Sequence, residues 1–190
     1  IDIVCHSLGS RVVVRALALA CKHGRKGLLE RLRTVILMGG SEYVVEAQLM
    51  VSRIEEFKLQ SRPNFFNIVS RENDVLDFLG ENFGPKTFGN SQVIGHNGLD
   101  IEGRDDHWID LQIDRKALQE WMERQNPPIE ISGDRPGNVW DHWYYYTHEG
   151  NMSLYNSILR LPWKWVIPEL RRASDPIPDG VPRRWWTFGD

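Results

Sequence analysis

The sequence predicts an α/β protein built on a doubly wound, mostly parallel sheet. Three short apolar runs carry that prediction: Ile1 to Cys5, Val35 to Met38 closed by Gly39 and Gly40, and Asn64 to Ser70. Each has the length and the apolar, β-branched or aromatic content of a buried strand. Stretches with helical spacing lie between them, and strand alternating with helix is the pattern of βαβ units.

Composition sets the outer bounds. With 190 residues, 41% hydrophobic and 26% charged, the chain suffices for one globular domain with a sizeable core. A net charge of -3 gives no reason to expect nucleic acid or an anionic membrane surface as partner. No apolar run approaches the ~20 residues of a membrane span. Of the two cysteines, Cys5 lies in a turn and Cys21 far along the next helix, a poor geometry for a disulfide. Reducing, cytoplasmic surroundings are the expectation from this usage. No cofactor motif, phosphate-binding glycine loop or internal repeat occurs.

After the first strand, Val12, Ala16, Leu19 and Ala20 recur at helical spacing, and Gly24 supplies the stop. Between strand and helix sits Cys5-His6-Ser7-Leu8-Gly9, with Ser7 at the tip of the turn. A serine there has its hydroxyl held clear of the backbone at the carboxyl end of the sheet. The bland reading is a strand-turn-helix with an incidental serine.

The segment CHSLG, followed by SRVVVRALALA, resembles the nucleophile elbow of the α/β-hydrolase superfamily, G-x-S-x-G. Cys5 stands where that pattern has its first glycine, and it is a small residue. The resemblance implies a hydrolase-type fold with Ser7 as nucleophile and the backbone N–H of Leu8 as one oxyanion donor. It also implies strands and helices ahead of the nucleophile strand. Residues 1–161 are therefore expected to be the C-terminal part of a hydrolase domain, with 162–190 as a Pro- and aromatic-rich extension. On that expectation the second oxyanion donor lies upstream, the isolated chain is a feeble catalyst or none, and its first strand is an open edge.

The second strand leads to Ser41, placed to cap a helix running to about Phe57. Pro63 marks the break before the third strand. The segment SRENDVL behind that strand resembles the family's acid loop, and Asp74 matches its acidic position, with Glu72 and Asp77 in reserve. Asp74 or Asn73 could equally cap the helix that begins at Val75. Residues 80–106 are rich in Gly, Asn and Asp, as in a lid, a binding loop or a surface excursion. His107 to Asp114 alternates apolar and polar, which predicts a half-exposed fourth strand near the sheet edge. Lys116 to Arg124 reads as a short helix with Leu118, Trp121 and Met122 inward, ended by Pro127-Pro128.

The run DHWYYY before NMSLYNSILR resembles the family's histidine segment, with His142 at the matching position. His148, nearer the start of the helix Asn151 to Leu161, is its rival, and His96 and His107 remain behind. Together these residues imply a Ser7–His142–Asp74 triad acting on a small or acyl-chain ester through an acyl-enzyme, without metal or cofactor. Thioester hydrolysis and acyl transfer are chemically adjacent. Two other classes stay open. One is a non-catalytic domain of the same fold that binds a partner through its aromatic C-terminal surface. The other is a metal hydrolase using His96, His107, His142 or His148, although no H-E-x-x-H pattern occurs. Neither the substrate nor the oligomeric state follows from the sequence.

Overall fold

The computed structural model of the chain describes residues 1–70, 92–99, 106–133, 142–168 and 170. Its frame is a four-stranded, all-parallel sheet: β1 (Asp2–His6), β2 (Thr34–Met38), β3 (Asn64–Val69) and β4 (Trp108–Gln112), side by side in chain order. The register sets His6 beside Met38, Met38 beside Ile68, and Ile68 beside Leu111. The carboxyl ends of all four strands therefore share one rim.

Helices α1 (Leu8–Lys22), α2 (Lys26–Leu29), α3 (Val44–Glu56) and α4 (Ile94–Asn97) lie in the crossovers. After β4 come α5 (Lys116–Glu123), α6 (Tyr144–Thr147) and α7 (Glu149–Arg160). Side chains of successive strand residues point to opposite faces, so each strand feeds two cores. Val35, Leu37, Phe65 and Trp108 meet Val14 and Leu17 of α1 and Ala47, Met50 and Ile54 of α3. Ile36, Met38, Phe66, Ile68, Ile109 and Leu111 meet Leu118 and Met122 of α5 and Leu154, Tyr155 and Ile158 of α7. Strands that advance in one direction with crossovers of one hand place their helices on one face. The second face is closed by chain that follows β4. Both faces are covered, as a parallel sheet requires.

Several sequence expectations are corrected. Ser41 does not cap α3: the helix begins at Val44, with Tyr43 at the N-cap position and no side-chain cap. Residues 42–44 are engaged elsewhere. Tyr43 bridges to Val93, Val44 N–H donates to Gln92 O at 3.0 Å, and Ile94 N–H donates to Glu42 O at 3.0 Å. In the same way the described part of the 80–106 stretch is no surface excursion. Val93, Ile94 and Leu99 are buried, and Gly95 lies so close to Gly40 that a Cβ at 95 would overlap the Gly40 nitrogen.

In the described sheet β4 is an edge strand; Trp108, Ile109 and Leu111 are buried, and the polar positions Asp110 and Gln112 are half-buried. The alternation comes from Asp110, whose carboxylate accepts hydrogen bonds from Asn67 Nδ2 at 2.7 Å, Trp108 Nε1 at 3.0 Å and Leu99 N at 2.9 Å. A half-buried polar side chain held by donors looks like an exposed one in sequence.

In the C-terminal stretch, Trp165, Ile167 and Leu170 join the core beside α7, and Trp165 Nε1 donates to Ser157 Oγ at 2.9 Å. Both cysteines are free thiols. Among the described residues no helix is long and apolar enough to cross a membrane.

Candidate active site

Ser7 is the single residue between β1 and α1, and its backbone is unusual: φ 52° and ψ −123°. The left-handed half of φ space is costly for a residue with a Cβ, on the order of 1–3 kcal/mol, so surrounding contacts must enforce it. Those contacts are backbone hydrogen bonds. Ser7 N–H donates to Met38 O at 3.0 Å, and Ser7 O accepts from Ser10 N at 3.0 Å and Ser41 N at 3.3 Å. The turn is thereby tied to the end of β2 and to the chain that leaves it. The Ser7 side chain makes no cap to α1, and Ser10 N–H is taken by Ser7 O, which leaves the N–H groups of Leu8 and Gly9 to open the helix beside Ser7.

The turn also explains which residues flank it. A Cβ on residue 9 would lie 3.3 Å from Cys5 Cβ, so glycine at 9 makes room for the cysteine at 5. Cys5 Sγ points inward, 3.6 Å from Ser10 Oγ and 3.7 Å from Ile36 O. Burial pushes its thiol up to about 11, which keeps it protonated at neutral pH.

His142 is buried and lies on the same rim. Its ring centroid is 4.4 Å from that of His6, the residue immediately before Ser7. His6 Nε2 donates to the His142 carbonyl at 2.9 Å. Tyr145 fixes the same segment from the other side: its ring covers Gly39, where a Cβ would come within 2.8 Å of Cε2. Tyr155 Oη in turn donates to Tyr145 O at 2.9 Å. Burial first, and then the neighbouring His6, push the His142 imidazole down to about 4. Burial also lowers His6, partly offset by its bond to the His142 carbonyl. A neutral imidazole beside the turn can accept a proton.

The other histidines are differently employed. His148 Nδ1 accepts from Asn151 N at 3.4 Å, capping α7. His107 precedes β4, at the amino rim of the sheet, and its Nδ1 lies 2.9 Å from Asn64 Oδ1. His96 is buried within α4. Asp74, with Glu72 and Asp77, lies outside the described residues. Among the described residues no three His, Cys, Asp or Glu side chains converge as metal ligands.

Two further residues hold the site, and neither stands out in the sequence. In the sequence His6 is one more member of the turn motif, and nothing local marks its partner His142. Glu42 is the second: its buried carboxylate joins Arg15 of α1 at 3.0 Å and Arg11 at 3.6 Å, locking α1 to the end of β2. A glutamate two residues after a Gly-Gly strand end, opposite arginines at i and i+4, was the available signal. Comparison with protein-family models, with curated proteins and with solved structures finds no match for this chain.

Proposed function

We propose that the chain is a serine hydrolase of the α/β-hydrolase type that cleaves a carboxylic ester through an acyl-enzyme. The observation that supports this most is the left-handed Ser7 between a parallel strand and a helix, on the carboxyl rim of the sheet. A serine is held in a strained turn there while uncapped helix N–H groups open beside it.

In this reading the Ser7 hydroxyl attacks the ester carbonyl carbon as its proton passes to His142. The carbonyl oxygen becomes an oxyanion, which the Leu8 N–H stabilises. Collapse of the intermediate breaks the bond to the alkoxy group, which takes the proton from His142 and departs as alcohol. Water then repeats the sequence on the acyl-enzyme and releases the acid. Asp74 is proposed to orient His142 and balance its transient charge. The closeness of His142 to His6, the neighbour of Ser7, supports the choice of base.

A fluorophosphonate probe tests the reading, because it phosphonylates only an activated serine. Labelling of the wild-type chain that disappears in Ser7→Ala is expected. Labelling that survives Ser7→Ala would overturn it. Loss of ester hydrolysis on adding a chelator would favour metal chemistry instead.

A further inference from the structure

The geometry points to His6 as a positioning residue: its ring N–H holds the main chain of His142, and so sets where the His142 imidazole stands relative to Ser7. The inference rests on the roles proposed above for Ser7 and His142.

A carbonyl oxygen can only accept, so the 2.9 Å contact between His6 Nε2 and His142 O requires the hydrogen on Nε2. That selects the Nε2–H tautomer of a neutral His6. The His6 backbone is itself fixed, as the last residue of β1, in register with Met38. The link therefore runs from a rigid strand end to a residue 136 positions away. Around the His6 ring stand Tyr146 at 5.0 Å, Trp143 at 5.8 Å and Tyr145 at 6.0 Å, centroid to centroid. Packing alone among these rings would be met by any flat side chain. The imidazole adds the one thing they lack, a donor aimed at the main chain of the proposed base. Placement within a fraction of an ångström matters for proton transfer, and a main-chain tether supplies it without occupying the His142 ring nitrogens.

Three variants separate tether from packing. His6→Phe keeps a ring of similar shape and removes the donor. His6→Gln presents an amide N–H at about the reach of Nε2. His6→Asn has the same amide one methylene short, and decides the matter if the Phe variant does not fold.

The first readout needs no activity. In the wild-type chain the His142 ring, followed by NMR of ring-labelled histidine, should stay neutral to about pH 4. Among the described residues, His6 and Tyr145 are titratable groups whose rings face it. In His6→Phe and His6→Asn the midpoint should rise toward that of a free imidazole as the segment loosens, while His6→Gln should keep it low. The second readout is the rate of Ser7-dependent fluorophosphonate labelling. It should fall about tenfold in the Phe and Asn variants and stay within about threefold of wild type in the Gln variant.

A His142 midpoint and labelling rate unchanged in His6→Phe, or equal in the Gln and Asn variants, would overturn the assignment. If the wild-type chain shows no Ser7-dependent labelling, the titration alone decides whether His6 places His142.

Discussion

The Glu42 carboxylate accepts a hydrogen bond from Arg15 Nε at 3.0 Å while its own side chain is wholly withdrawn from solvent. Its second oxygen accepts the Tyr43 N–H at 2.9 Å. Arg15 is half exposed, and Arg11 stands by at 3.6 Å, so either arginine partly covers for the other. Arg15→Ala is therefore expected to cost only about 1 kcal/mol. Removing both strands the carboxylate without a cation, at about 3–5 kcal/mol. The double variant should exceed the sum of the singles in urea midpoints; strict additivity would show that the pair is not a shared anchor.

Ser7 stores strain that glycine would not. Ser7→Gly should stabilise the fold by about 1 kcal/mol, against the usual penalty of placing glycine in ordered structure. Ser7→Ala keeps the Cβ and should leave stability near wild type. Both should abolish fluorophosphonate labelling. Thermal unfolding of the two variants side by side is the check, and a Gly variant less stable than the Ala variant would contradict a strained turn.

Acid should weaken the fold through His142. Its ordinary value of 6.5 applies in the unfolded chain, and about 4 applies in the folded one. Between these pH values the unfolded state binds more protons, so stability falls as pH drops from 6.5 to 4 and levels off below. The loss from this one group is up to about 3 kcal/mol. His6, also lowered by burial, acts in the same direction. Denaturant midpoints across that window should show the slope, and His142→Gln should flatten it. An equal slope in the variant would place the titrating group elsewhere.

Gly39 offers a packing test independent of chemistry. Its φ is +48° and the Tyr145 ring occupies the space a side chain would need. Gly39→Ala should cost about 2–4 kcal/mol by displacing Tyr145, with the His142 segment following it. Gly39→Ala combined with Tyr145→Leu should recover part of that loss in the same denaturant assay.

Local chemistry made much of this legible in the sequence. Strand β2 announced itself because a buried parallel strand must be apolar on both faces, as Val35 to Met38 are. The turn at Ser7 was legible because small residues and a strand-to-helix change of period constrain one another over a few positions. What escaped depends on partners distant in the chain. Asp110 reads as exposed until Asn67, Trp108 and Leu99 supply its donors. Ser41 reads as a cap until the bridge between Tyr43 and Val93 is known. His6 reads as a spacer in a motif until His142 is found against it. No periodicity encodes a contact across 136 residues.

Strand β1 borders the described sheet, with Val4 exposed on it and Leu8 and Val12 exposed on the helix that follows. Ser7 sits at the tip of that border strand, not in the middle of the rim. Neighbourhood and reactivity are consequently inseparable at this margin. Any polypeptide that lengthens the sheet alongside β1 would also lie beside the Ser7 turn, so association there would register at that turn as well as in size.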